Sequence, residues 1–426
     1  MRVLHFAPRV CWPLDTGAKL RNYHLARVLA ERADVTLLAF GGNEQPPNNP
    51  ENPYAKVVTV KRDPGYTAAK IIRGAVGRTP LSLLNYTTAA MKQALAQILS
   101  EQDFDVVQVE SIHLMGYLPI LRAATARPHV ICDWHNIESE LMQRYSERES
   151  NLLRRTYARK TARQLRTLEQ KATHDFDGHV VVSQRDRERL LQLDSASSIS
   201  VIENGVDSAY YSDQEMEKAH AAWLTHPHPD RAAIDGVMPS PSKANRIVFV
   251  GSMDYHANID GVVDFAREIW PQIYERNPEL VLTIVGRDPA AEVRQLASLR
   301  GIEVTGTVAD VRPYYLEAVA AIVPLNVGGG SRLKILEAMA AGVAVVSTTL
   351  GAEGLEVQHG VNILIADTNA QLLDAITGVV ENEGLRQKLY DAGRALVSNR
   401  YDWARAGESL FGIYERLLAA RMNEKN

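Results

Sequence analysis

Short runs of β-branched and apolar residues recur along this chain, and most are separated by stretches whose apolar positions fall at helical spacing. The runs predict strands at Val3–Phe6, Val35–Phe40, Val57–Val60, Val106–Val109, Val130–Trp134, Val180–Ser183 and Ile199–Ile202. Helices are expected between them, for example over Lys19–Arg32, Thr88–Ser100 and Leu152–Ala172. Near-continuous apolar strands joined by helices point to a parallel sheet covered on both faces. The alternation pauses over 208–244, which holds Pro239-Ser240-Pro241-Ser242 and no convincing strand, and reads as an irregular linker or insertion. It restarts at Ile247–Val250, Leu280–Val285, Ile302–Thr305, Ala321–Leu325, Val343–Ser347 and Ile363–Ala366. The fold class is therefore α/β, with one doubly wound domain over 1–207 and a second over 245–400. A last helix, carrying Leu410, Phe411, Tyr414, Leu417 and Leu418, lies within 401–426.

Composition removes several classes. The 426 residues, 46% hydrophobic and 23% charged, are enough for two or three ordinary domains and exclude a disordered chain. Cys11 and Cys132 form neither a disulfide framework nor a metal-ligand pattern. Lys and Arg number 47 against 51 Asp and Glu, a net charge of −4 that argues against nucleic acid as a partner. No apolar run approaches the roughly 18 to 20 residues of a membrane span. Met1 to Arg9 reads as a first strand, not a signal peptide, so a cytoplasmic location is expected.

In doubly wound sheets ligands bind beyond the C-terminal strand ends, so the residues following strands carry the functional information. The first strand leads to Asp15-Thr16-Gly17-Ala18-Lys19 and a helix, where Gly17 either makes the turn or lets backbone approach an anion. The strongest signal is Pro324 to Gly342, where a strand runs into Gly328-Gly329-Gly330 and then a helix. Ser331 is a good N-cap, and Arg332 and Lys334 in the first turn add positive charge to a helix end that is already positive. That placement points to a polyanion, most simply a diphosphate. Glu337 sits three residues beyond Lys334 and either pairs with it or aims at ligand hydroxyls. Gly251, Gly286 and Val304-Thr305-Gly306 put small residues around one sheet edge. His113 and His135 both follow first-half strands.

Other features compete for attention. Asp103-Phe104-Asp105 and Asp175-Phe176-Asp177 look like metal carboxylate pairs, but both precede strands and so belong to the opposite edge. The segment from Arg144 to Lys171 is an amphipathic basic helix with Leu152, Leu153, Tyr157 and Leu165, either a solvated face or a surface for anionic lipid. Lys70, Arg73 and Arg78 beside Ile71, Ile72 and Val76 would add to it.

These residues resemble a family. Asp15-Thr16-Gly17, Val201 to Asp207, Phe249 to Tyr255, Ile284-Val285-Gly286, Val304-Thr305-Gly306 and Leu333 to Gly342 are together similar to the retaining nucleotide-sugar glycosyltransferases of family four. The likeness runs along nearly the whole chain, and Gly251 to Asp260 resembles a bacterial exopolysaccharide branch. It implies the GT-B fold: two Rossmann-like domains facing a cleft, with the last helix crossing back to the first. Glu337 matches the glutamate that binds the nucleotide ribose, and Arg332 and Lys334 the cationic pair that holds the diphosphate. Gly17 matches the glycine facing the phosphates, His135 the histidine that contacts the transferred sugar or acceptor, and Val304 and Thr305 the region that reads the base.

Two departures stand out. The usual first glutamate of a spaced pair is Gly329 here, so the sugar contacts of that glutamate either come from backbone N–H groups, with Gly329, Gly330 and Ser331 as the candidate binding residues, or are absent. The usual basic residue after the first C-domain strand is Met253, which shifts phosphate binding onto Arg332 and Lys334. The implied reaction moves a sugar from a nucleotide-diphosphate-sugar to a hydroxyl of a glycan or lipid-linked acceptor in polysaccharide or glycoconjugate synthesis. It needs no metal or other cofactor and takes place at the inner face of the membrane, with an anionic surface as partner. An epimerase or phosphorylase of the same fold, and a non-catalytic nucleotide-sugar-binding protein, are the rival readings.

Overall fold

The computed structural model describes residues 1–42, 52–62, 67–225, 245–253, 255–326 and 332–423. The chain divides into two units, Met1–Asn204 with the segment from Trp403 onward, and Gly205–Asp402. The first cut falls three residues before the expected 207, and the last two residues before Trp403 stay with the second unit.

The first unit holds β1 (Arg2–Ala7), β2 (Asp34–Phe40), β3 (Lys56–Val60), β4 (Val106–Val109), β5 (His129–Trp134), β6 (Gly178–Val181) and β7 (Ile199–Val201) in one sheet, ordered β3-β2-β1-β4-β5-β6-β7. Every neighbouring pair is parallel. The winding reverses between β1 and β4, which makes their C-terminal ends the switch point. Val3 to Ala7 are all buried, as a central strand covered on both faces requires.

Its helices start where polar caps allow. Asn151 accepts from the backbone N–H of Leu153 (3.0 Å) and Arg154 (3.2 Å), opening the Leu152–Asp175 helix. That helix buries Ala158, Ala162, Leu165 and Ala172 and leaves Arg154, Arg159, Arg163 and Arg166 exposed. The Trp403–Asn423 helix packs on the Gly17–Leu29 helix, with Trp403 stacked on His24 at 5.4 Å.

The second unit holds β8 (Arg246–Val250), β9 (Val281–Val285), β10 (Ile302–Gly306), β11 (Ala318–Val323), β12 (Ala344–Ser347) and β13 (Leu364–Ile365), ordered β10-β9-β8-β11-β12-β13 and again all parallel. Its switch point lies between β8 and β11. β11 starts three residues earlier than expected, because Ala318 already pairs with Arg246. Gly342 ends the Leu333–Ala340 helix at φ 76°, and a β-carbon there would stand 2.0 Å from the Tyr390 ring.

One expectation needs correction. The stretch read as irregular linker contains a helix, Asp213–Thr225, whose Met216 and Ala219 are buried, while 226–244 lie outside the described residues. Only two buried apolar positions mark this helix, too few to reveal its period. The two acidic pairs play structural parts. Asp105 accepts from the backbone N–H of Arg2 (2.7 Å), and Asp177 from that of Val130 (2.7 Å) and from Arg122 (2.8 Å). Among the described residues no helix is long and apolar enough to cross a membrane.

Candidate functional site

In the second unit the site forms at the β8–β11 switch point. Gly251 follows β8, and a β-carbon on it would lie 2.9 Å from Asn258 Nδ2 and 3.0 Å from Lys334 Nζ. The missing side chain therefore lets both residues close over the strand end. Asn258 donates to the Ser252 carbonyl (2.8 Å) and accepts from Lys334 Nζ (2.6 Å). The ammonium also lies 4.6 Å from the centroid of the Phe249 ring.

Lys334 and Glu337 do not form the ion pair that their spacing allows; Lys334 turns to Asn258 instead. Burial lowers the Lys334 pKa to about 7, the Arg332 charge adds to this, and Glu337 opposes it. Burial raises the Glu337 pKa to about 7 against the pull of Lys334. A cation and a carboxylate on one helix are thus both poised near neutrality, as groups awaiting a ligand can be.

Arg332 differs from expectation. It occupies the N-cap itself, in left-handed backbone at φ 50° and ψ 19°, and makes no side-chain cap. Its guanidinium donates to the Glu353 carbonyl (3.2 Å) and carboxylate (3.4 Å). Gly329, Gly330 and Ser331 lie outside the described residues. Val304 and Thr305 lie just before Gly306, the last residue of β10, where the pairing with β9 shifts register.

Sequence reasoning missed several neighbours. Tyr211 and Tyr315 are buried, which raises both pKa values, and each also feels Glu337. The Tyr315 hydroxyl has no hydrogen-bond partner among the described residues. Arg287, after β9, donates to Ser252 Oγ (3.2 Å) and brings a cation to the strand end where Met253 offers none. None of these three positions carries a local sequence signal.

In the first unit, Gly17 opens the Gly17–Leu29 helix, and Lys19 pairs with Asp15 at 2.9 Å beside it. His135, after β5, meets Glu110, after β4, with Nε2 and Oε2 3.0 Å apart. Glu110 is fully buried. Burial pushes its pKa up, but the His135 hydrogen bond and the nearby His5 more than offset this, leaving it below the ordinary value. Gln108 donates its amide to Glu110 (2.7 Å) and to Asp133 (3.3 Å) and accepts from the Tyr414 hydroxyl. Arg21 grips both oxygens of Asp133, at 3.0 and 3.2 Å, and reaches the Ile202 carbonyl (2.9 Å) and Asn204 (3.1 Å).

Glu110, Asp133 and His135 are also close enough to share a cation. Their oxygens are already occupied by N–H donors from Arg21, Gln108 and His135, so the donor set is spent on hydrogen bonds. His113 stacks on Tyr86 at 5.8 Å and approaches Glu138 at 4.0 Å. Burial lowers its pKa to about 4, and it makes no pair with His135.

Two parallel doubly wound units, each with its polar cluster beyond the strand ends, define the GT-B class of glycosyltransferase folds. Residues 16–210 match the model described as Glycosyltransferase Family 4, and 244–382 the model described as Glycosyl transferases group 1. Together the two models span most of the chain and support a family-four glycosyltransferase of the GT-B fold.

A phosphatidyl-myo-inositol mannosyltransferase of Mycobacterium tuberculosis is 29% identical over 250 residues, covering 56% of this chain and 59% of its own. The chain spans about half the length of the curated relatives it matches. Sucrose-phosphate synthase from Thermosynechococcus elongatus superposes with TM-score 0.69 at 16% identity, over 99% of this chain and 100% of that one. Anabaena HepE, solved in complex with UDP-glucose, gives 0.64 at 17% identity, over 99% and 100%. At these identities the likeness is one of fold.

Proposed function

We propose that this protein is a retaining, metal-independent glycosyltransferase that moves a sugar from a nucleoside-diphosphate sugar to a hydroxyl of a glycan or lipid-linked acceptor. The observation that carries this reading is Lys334, held over the end of β8 by Asn258 and Gly251 in the first turn of the Leu333–Ala340 helix. Breaking the sugar–phosphate bond leaves negative charge on the diphosphate. A lysine ammonium and a helix N-terminus fixed in advance stabilise that charge without reorganising. Glu337, one turn on, is suited to accept from ribose hydroxyls. Val304 and Thr305 flank the base, and Gly17 and His135 serve the phosphate and the sugar or acceptor. The UDP-glucose bound by HepE supports a nucleotide-sugar donor, and the mannosyltransferase relative supports a lipid-bearing acceptor. The resemblance of Gly251 to Asp260 supports a place in polysaccharide synthesis.

An anionic membrane surface is proposed as the docking partner. The Ala68–Val76 helix lies against the Leu152–Asp175 helix, tied by Gln164 to the carbonyls of Gly74 (3.0 Å) and Gly77 (2.8 Å). Together they leave Val76 80% and Leu153 84% exposed among arginines. Apolar side chains ringed by cations suit an anionic bilayer surface.

A thermal-shift panel of nucleoside diphosphates and their sugar conjugates, with and without chelator, tests the donor site. A ligand at 100 times its Kd stabilises the native state by about 2.7 kcal/mol. A shift with one base, indifferent to chelator, supports the reading. No shift with any nucleotide overturns it. The anomer of the product, read by NMR, tests retention.

A further inference from the structure

We infer that Glu110 is a positioning residue that holds His135 in the tautomer with its proton on Nε2, and that Gln108 and Tyr414 set the direction in which Glu110 can do so. The inference rests on the reading of His135 as substrate-facing, but its geometry is independent of any substrate.

The chain of hydrogen bonds starts at the C-terminal helix. Tyr414 donates its hydroxyl to Gln108 Oε1 and so fixes which end of that amide faces which way. The NH2 end then meets two acceptors, Glu110 Oε1 at 2.7 Å and Asp133 Oδ2 at 3.3 Å. Arg21, on both Asp133 oxygens, keeps that carboxylate from turning away. With one oxygen committed to Gln108, only Oε2 of Glu110 faces His135, at 3.0 Å. An ionised carboxylate only accepts, so Nε2 must donate. The pKa of Glu110, held below its ordinary value, agrees with an ionised group at this contact.

In the neutral ring Nδ1 then carries the lone pair, and it has no partner among the described residues. The imidazole is 17% exposed where Glu110 is wholly buried, so the dyad presents a hydrogen-bond acceptor from a closed base. Such a group is suited to a substrate hydroxyl rather than to an anion. Carboxylate control of the histidine tautomer is the logic of hydrolase triads, built here from two strands and two helices.

The arrangement makes a directional forecast. In Glu110→Gln, the new side-chain oxygen is claimed by the Gln108 NH2 group, which Tyr414 holds in place. The new NH2 then falls against His135 Nε2 and can only donate. Nε2 must become the acceptor, and the proton moves to Nδ1. Releasing Gln108 with the added Tyr414→Phe change lets both amides rotate, and the original tautomer returns in part.

The test is long-range 15N–1H NMR of the full-length, 15N-histidine-labelled protein at pH 8, with His135 assigned through His135→Gln. The expected spectrum shows Nε2 as an N–H nitrogen and Nδ1 as lone-pair-bearing in the wild type. The pattern should be reversed in Glu110→Gln and mixed in Glu110→Gln/Tyr414→Phe. A wild-type proton on Nδ1, a doubly protonated ring, or an unchanged pattern in folded Glu110→Gln overturns the inference. If Glu110→Gln does not fold, Glu110→Ala replaces it. Loss of the single wild-type tautomer there supports the role, and its persistence sinks it. No nucleotide or acceptor is present, so failure of the thermal-shift panel would refute the transferase reading and leave this result standing.

Discussion

The carbonyl oxygen of Gly251 lies 1.7 Å from the point where a β-carbon on Gly286 would stand. The two glycines end neighbouring parallel strands, and their backbones meet where the ligand edge begins. A methyl group cannot share that space with a carbonyl, so Gly286→Ala must push β8 and β9 apart. We predict a loss of about 1–3 kcal/mol in urea denaturation together with weakened nucleotide binding, because Gly251 carries the contacts to Lys334 and Asn258. Gly384→Ala supplies the control of opposite sign. It lies in the Glu383–Arg400 helix with only an ordinary contact at 3.4 Å, and should stabilise by about 0.4–1 kcal/mol.

Lys334→Met should keep the fold and lose turnover by about 10²- to 10³-fold, the usual scale for removing a group that meets transition-state charge. Asn258→Ala removes only the partner that aims the ammonium, and should cost roughly 10- to 100-fold, the worth of a hydrogen bond to a charge. Initial rates of donor consumption, with melting curves to certify folding, check both. An active Lys334→Met protein would remove the leaving-group role.

Strand positions were legible because β-branched runs such as Val35 to Phe40 and Val343 to Ser347 need only local pattern to declare themselves. The Leu333–Ala340 helix, which carries Lys334 and Glu337, was legible from its local pattern too. The Glu110–Gln108–Asp133–Arg21 network was not. Arg21 and Asp133 are 112 residues apart, and Tyr414 meets Gln108 across 306. In one dimension Gln108 and Asp133 only interrupt apolar strands. Their meaning comes from the parallel register that sets β4 beside β5, which no local window contains. Arg332 read as a first-turn cation of the diphosphate site, and its contact with Glu353 could not be read beside it because that residue lies in a loop that follows β12.

The basic face of the Leu152–Asp175 helix should govern membrane binding. Arg154, Arg159 and Arg163 are exposed on it, and each contributes about 1 kcal/mol near an anionic surface. Reversing all three to Glu should abolish sedimentation with phosphatidylserine vesicles and leave the nucleotide-induced thermal shift unchanged. Leu153→Ser should weaken vesicle binding without altering its salt dependence. Equal binding to neutral vesicles, or retention by the triple variant, would refute the proposed surface.

Trp403 is 2% exposed, and its ring lies within 4° of parallel to His24. It begins the helix that carries Tyr414, so its packing should contribute much of that helix's hold on the first unit. Trp403→Ala should destabilise by about 3–5 kcal/mol in urea denaturation, whereas Trp403→Phe keeps most of the stacked area and loses less. Equal losses in the two variants would assign the effect to something other than the ring face.

The opposed pKa displacements of Lys334 and Glu337 set a pH signature. Lys334 falls from 10.5 to about 7 on folding, so its contribution to stability is present above 10.5 and is lost as pH drops through 7. Glu337 rises from 4.5 to about 7, so its contribution is present below 4.5 and is lost as pH climbs through 7. Together they depress stability near neutrality and restore it on either side, a dip that the Lys334→Met/Glu337→Gln variant should flatten. A bound diphosphate reverses the cost for the lysine by supplying the missing negative charge. At pH 8 the free ammonium is mostly deprotonated, so binding should draw in roughly one proton. Calorimetry in two buffers of different ionisation enthalpy reads that uptake directly. Affinity for the diphosphate should then fall about tenfold per pH unit above 7, and Lys334→Met should show neither the uptake nor the slope. Proton-neutral binding by the unaltered protein at pH 8 would mean that Lys334 does not meet the phosphates.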